Sequence, residues 1–118
     1  MEQNINKVEL QGRIGSVKVS NISGKDLARL SVATNYIYRS KDGDMVIETT
    51  WHNVTAWENG KTITGLQDLQ KGDFVHVTGR LRTVRYTDSE NTERVTSEIA
   101  AASLRVVAPE EHDIISKC

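Results

Sequence analysis

Only one proline and one cysteine occur in this 118-residue chain, and both fall in its last ten residues, at Pro109 and Cys118. A lone cysteine cannot close an internal disulfide, and no second Cys or close His grouping stands ready to hold a metal with it. Long hydrophobic runs are missing too. The most apolar stretches, residues 99–103 and 104–109, are mixed and far short of the ~20 residues a membrane helix needs. The opening residues, MEQNINK, carry an acid in second place and no apolar run behind it, unlike a secretory signal, so a cytoplasmic setting is expected. Nor is there an excess of one charge: 15 Lys plus Arg face 16 Asp plus Glu. A basic balance is a usual footprint of nucleic-acid binding, and the bulk composition lacks it. The distribution is less even than the total, because Arg80, Arg82 and Arg85 crowd into six residues while Glu110, Glu111 and Asp113 collect near the end.

What is present is the alternation of β-strands. Val8, Leu10 and Ile14, interrupted by Gly12 and Gly15, predict a bent first strand over residues 6–19. Residues 21–25 (NISGK) have turn composition, and Leu30, Val32 and Thr34 resume the period of two until the polar loop at 40–44. Residues 46–57, rich in Thr, Val and Trp and free of Gly and Pro, predict a third strand. Between them and the next strand, Ile63, Leu66 and Leu69 recur every three residues ahead of Lys71-Gly72, which predicts one short helix within 59–72. Residues 74–86 and 94–107 predict a second hairpin around a polar loop at 87–93. The whole is an all-β chain of five strands with a helix between the third and fourth, the element order of a Greek-key OB-fold barrel. Residues 1–108 are expected to form this single domain, and residues 109–118 a short mobile tail.

Strand parity then sorts the side chains. Thr49, Trp51, Asn53, Thr55 and Trp57 share one face of the third strand, while Thr50, His52, Val54 and Ala56 share the other. Both tryptophans therefore stand among Thr and Asn, as flat apolar platforms open to solvent, on which nucleic-acid bases stack. In the fourth strand Thr78, Arg80, Arg82 and Tyr86 share a face, opposite Val75, Val77 and Leu81. A single tryptophan is more often a core anchor, and strand arginines often only solubilise a surface. Four strand aromatics (Tyr38, Trp51, Trp57 and Tyr86) beside Arg39, Arg80 and Arg82 favour binding of single-stranded DNA, with stacking indifferent to sequence and arginines on phosphates. Arg13 and Arg85 are counted among the DNA-binding cations. Tyr38 shares parity with apolar Leu30 and Val32, so a bulge or strand end near residues 35–37 is needed to turn it outward.

Several segments resemble the bacterial single-stranded DNA-binding protein family, in order: residues 6–8 and 12–15 of the opening strand, LSVATN at 30–35, and Thr50-Trp51-His52 with Val54. Lys71-Gly72-Asp73 follows, then Val75, Val77, Gly79 and Leu81-Arg82-Thr83, then Tyr86-Thr87-Asp88. The resemblance spans residues 5–107 and implies an OB-fold that stacks bases on Tyr38, Trp51, Trp57 and Tyr86. It also implies a homotetramer with roles in DNA replication, recombination and repair, and sets His52 near a subunit interface, although His52 reads equally as an ordinary packed histidine. Relatives commonly continue through a long Gly, Pro and Gln-rich linker to an acidic tip that recruits repair and replication proteins. Here Glu110, Glu111, Asp113, Ile114 and Ile115 form only a short echo, so that recruitment is not carried over.

No catalytic residue, cofactor, metal or membrane partner is expected. His52, His76, His112 and the scattered carboxylates come without a nucleophile elbow, phosphate loop or metal-ligand spacing. The alternative to DNA binding is an OB-fold module that acts through protein contacts, and the aromatic set argues against it.

Overall fold

The computed structural model describes residues 2–108, so the tail expected at 109–118 lies outside the described residues. Five strands form: β1 (Val8–Ile22), β2 (Lys25–Arg39), β3 (Met45–Trp57), β4 (Phe74–Thr87) and β5 (Glu93–Val106). They close in the order β1-β2-β3-β5-β4. All neighbours are antiparallel except β3 and β5, which meet in a short parallel seam at Val54↔Ile99 and Thr55↔Ala100. This closed Greek-key barrel is the OB-fold expected from the strand order.

The turn between β1 and β2 shows how the local sequence sets the register. Ser23 and Gly24 both take positive φ, 52° and 87°, as a two-residue hairpin turn of matching twist requires, and Ile22 then pairs with Lys25. The first strand consequently runs on to Ile22 rather than stopping at residue 19. Inward residues of all five strands meet in one core that includes Ile14, Leu30, Val32, Val54, Val75, Val77, Ile99 and Leu104.

The expected short helix is reduced to a single 3-10 turn, Leu66–Asp68. Its three-residue apolar spacing marked core contacts correctly, since Ile63, Leu66 and Leu69 are all buried. Gly65 enters the segment at positive φ, and Leu69 is already extended (φ −68°, ψ 137°), so the turn ends before a second helical turn can form. Ile63 instead bridges to Leu104, and the loop lies on β5 as an extended strap.

The β2–β3 and β4–β5 hairpins outgrow the barrel. Beyond Ala33 on β2 and Trp51 on β3, and again beyond Arg80 on β4 and Ile99 on β5, nearly every residue is exposed or half-exposed on both faces. The chain thus has a closed body and two arms. A register shift at Thr78/Gly79, with Ala102 of β5 as the extra residue, marks where β4 turns from one to the other. Gly79 is needed there, because a Cβ would stand 2.2 Å from the Ala100 carbonyl oxygen.

Candidate nucleic-acid interface

The third strand presents the two faces that its parity predicts. Val54 and Ala56 are buried, whereas Trp51 is 60% and Trp57 44% exposed. Trp51 pairs across β2 with Ala33 and rests its ring on β1 at Gly15, where an added Cβ would lie 2.3 Å from Cζ3. The β1 bulge between Ile14 and Ser16 falls at this seat. Gly15 therefore sets the height of the Trp51 ring above the barrel wall.

Trp57 stands at the far end of the same face, between two grooves. One is shared with Arg29, Thr55, Arg82, Tyr86 and Glu98, and the other with Asn6, Lys7, Arg80, Arg82 and the small residues Gly79 and Ala100. Arg82 borders both. Its Nε lies 3.4 Å from Glu98 Oε1, while Glu98 Oε2 accepts a hydrogen bond of 2.9 Å from Thr55 Oγ1. Glu98 thereby aligns Arg82 but also offsets part of its charge. Arg80 has no ion-pair partner among the described residues. The structure thus gathers Trp57, Arg80, Arg82 and Tyr86 about one surface.

The remaining candidates lie elsewhere. Arg13 donates from Nη1 to the Gly72 carbonyl at 3.0 Å and lies over the Phe74 ring, 5.2 Å from its centre, so it pins β1 to the start of β4 and lines neither groove. Arg39 donates to the Gly43 carbonyl at 3.3 Å within the turn from β2 to β3. Arg85, on the opposite parity from Arg82, faces Glu93 at 3.5 Å. The half-buried His52 shares a hydrogen bond of 2.8 Å between Nε2 and Thr34 Oγ1 of its own chain.

Tyr38 is exposed, but by neither the bulge nor the strand end expected near residues 35–37. The β2–β3 register is unbroken from Leu27↔Trp57 to Arg39↔Met45. Tyr38 reaches solvent because the hairpin has left the barrel, where the core-facing parity no longer has a core to face. The same parity gives it Tyr36 as a neighbour, 68% exposed, with ring centroids 6.0 Å apart. Trp51 projects from the other face of this hairpin, so Tyr38 and Trp51 do not form one platform. Tyr36 was missed by sequence reasoning, as were Asn6, Lys7 and Arg29. The i, i+2 spacing of Tyr36 and Tyr38 was the available signal for the first; the others are legible only once the barrel closes, bringing Asn6 and Lys7 beside β4 and Arg29 into one groove with Tyr86 and Glu98.

At the tip of the β4–β5 arm, Asp88 Oδ2 accepts from Arg94 Nε at 2.8 Å, and Oδ1 accepts the backbone N–H groups of Thr92 and Glu90. The Arg94 bond first, and the Thr92 amide after it, hold the Asp88 carboxyl below the usual aspartate range. Among the described residues no helix is long and apolar enough to cross a membrane.

Comparison with known proteins supplies the family and the fold. The model of the single-strand binding protein family matches residues 5–107. The mitochondrial single-stranded DNA-binding protein of Danio rerio is 31% identical over 112 residues, spanning 88% of this chain and 77% of that protein. The single-stranded DNA-binding protein of Neisseria meningitidis serogroup B is 32% identical over 105 residues, and the match covers 87% of this chain and 60% of that one. Among solved structures, the Plasmodium falciparum SSB in complex with ssDNA superposes with a TM-score of 0.77 at 24% identity, covering 92% of this chain and 99% of the other. A deletion mutant of the Thermus aquaticus single-stranded DNA-binding protein superposes at 0.70 and 18% identity, covering 89% and 51%. The two superpositions establish the shared barrel.

Proposed function

The chain belongs to the single-strand binding protein family, and from that premise we propose that it binds and protects single-stranded DNA, with little regard to sequence, during replication, recombination and repair. The observation that carries the mechanism is Trp57: a half-exposed indole between two grooves, with Arg80, Arg82 and Tyr86 around it. A base laid on the ring gains on the order of 1–3 kcal/mol by stacking, whatever its identity, while the guanidinium groups meet the phosphates on either side. Trp51 on its Gly15 seat, and Tyr38 on the other arm, serve as further stacking platforms along the strand. Arg39 and Arg85 join them as peripheral cations, and Arg13 acts mainly through the wall it pins.

The active form in this reading is a homotetramer. One OB barrel tracks only about 4–16 nucleotides, so several are needed to wrap a longer strand. Residues 16–22 of β1 pair with β2 on one side alone, which leaves a strand edge for a neighbouring subunit. His52 serves a subunit boundary only in that assembly. Residues 1–108 act as the binding domain and 109–118 as a tail, the setting is the cytoplasm, and the protein performs no chemistry on the strand.

Titration of intrinsic fluorescence with oligo(dT) tests the reading, with Trp51→Phe and Trp57→Phe to assign the signal. Saturable quenching of both indoles is expected, and single-stranded DNA incubated with the protein and Mg²⁺ stays intact. Unchanged fluorescence at saturating oligonucleotide would sink the stacking mechanism and favour a module that acts through protein contacts.

A further inference from the structure

Asn6 makes a contact that no sequence pattern announces. It lies two residues before β1, and its side-chain Nδ2 donates to the Leu81 carbonyl at 2.7 Å, while the Leu81 N–H donates to Asn6 Oδ1 at 2.9 Å. A primary amide carries the same donor and acceptor as a peptide unit, so this pair of hydrogen bonds continues the β1–β4 ladder, which otherwise ends at Val8↔Gly79. One further step of that register sets Lys7 beside Arg80 and Asn6 beside Leu81. The clamp falls just past the Thr78/Gly79 bulge, where β4 leaves the barrel and becomes an arm. It therefore ties the root of the arm to the barrel wall.

The consequence lies in the groove that Asn6 and Lys7 share with Trp57, Arg80 and Arg82. No acidic side chain lines it, in contrast to the neighbouring groove, which holds Glu98. Its floor is Gly79 and Ala100 with Ala101 and Ala102, small enough for a sugar–phosphate backbone to approach closely. The exposed Lys7 has no ion-pair partner among the described residues. We propose that Lys7 is a further phosphate-contacting residue of the Trp57 groove, and that Asn6 is the positioning residue that holds Lys7 and Arg80 in one array for a DNA phosphodiester. The proposal rests on the reading of this groove as the single-strand track.

The test compares Lys7→Ala, Asn6→Ala, their double variant and Trp57→Ala, each as the full chain, by equilibrium binding of a labelled oligo(dT) across a NaCl series. Lys7→Ala flattens the slope of log affinity against log salt by about 0.7, the value for one single-strand phosphate contact, and leaves the melting midpoint in place. Asn6→Ala releases the Leu81 amide to fast hydrogen exchange and flattens the slope in the same direction. Lys7→Ala then costs less in the Asn6→Ala background than alone. A wild-type slope for Lys7→Ala, with Trp57→Ala still weakening binding, overturns the Lys7 contact, and full additivity of the two substitutions overturns the positioning role of Asn6. If Trp57→Ala is silent as well, the groove is not the track and the functional reading itself fails.

Discussion

In the barrel body Val32, Val75 and Val77 are wholly buried, whereas on the arms Ile37 is 56% and Ile47 63% exposed. The two regions share strands: β2 carries both Val32 and Ile37, and β4 both Val77 and the exposed Leu81. Within the body one face of each strand is covered, so the period of two separates inside from outside. On the arms both faces meet solvent and the same period separates nothing. Apolar residues in the body report stability, then, while those on the arms are available for contact with something else.

The largest expected effect breaks this contrast from the body side. Leu66, fully buried although it belongs to no strand, packs from its 3-10 turn into the core cluster. Leu66→Ala removes about 2–5 kcal/mol of stability, as large-to-small core changes do. Ile47→Ala, at a residue with equal claim to hydrophobicity, stays within about 0.5 kcal/mol. Chemical denaturation at fixed protein concentration measures both, and equal losses would dissolve the distinction between body and arm.

The next effect concerns the residues where body meets arm. Trp51→Ala and Trp57→Ala each weaken single-strand binding by on the order of 1–3 kcal/mol while the fold persists, because both rings lie outside the core. Gly15→Ala should mimic Trp51→Ala in binding without replacing the indole, since its Cβ displaces the ring edge from its seat. Fluorescence titration of the three variants decides the point. A Trp57→Ala protein that melts much earlier yet binds normally would make the ring a structural part of the wall.

The same contrast explains what the sequence revealed. Strand order, the two faces of β3 and the core positions of β4 were legible because each depends on a covered face within one strand. Leu81 falls by parity on the apolar side yet is half exposed, and Tyr38 reaches solvent with neither the bulge nor the strand end that parity asks for, because parity has no meaning once a hairpin leaves the body. The helix was overestimated because a spacing of three marks burial equally well in a glycine-broken strap. Arg13 is counted by its charge among the DNA-binding cations, and its contacts with Gly72 and Phe74 come only with the fold. Contacts such as Asn6 with Leu81, 75 residues apart, arise only from barrel closure.

Smaller effects separate the arginines of the β4 arm. Arg80→Ala should flatten the salt dependence of binding by about 0.7 in log–log slope. Arg82→Ala should flatten it less, because Glu98 already offsets part of its charge at 3.4 Å. Glu98→Gln, which keeps an acceptor for Thr55, should raise affinity at low salt by freeing Arg82. Equal slopes for the two arginine variants would mean that the Glu98 pair opens when DNA binds.

The smallest effect isolates the arm tip from the body by pH. Asp88 is held below the ordinary aspartate range by Arg94 first and by the Thr92 amide after it, so its carboxylate is favoured in the folded hairpin. A depressed folded-state value means that the contribution is fully present above the unfolded value, about 3.9, and is lost only as pH falls through the lower folded one. The turn at residues 88–92 should therefore stay ordered from neutral pH down through the ordinary aspartate range and loosen beneath it. Asp88→Asn keeps an acceptor for the Thr92 and Glu90 amides but removes the charge facing Arg94, so it should abolish that dependence. Titration of the Asp88 carboxyl carbon by NMR, with exchange of the Thr92 amide, follows the tip directly. Global melting of Asp88→Asn at neutral pH should match the parent protein, since none of these groups touches the core. A titration midpoint at or above the ordinary aspartate value would remove the ion pair from the account of the arm, and a fall in global melting would join the tip to the body.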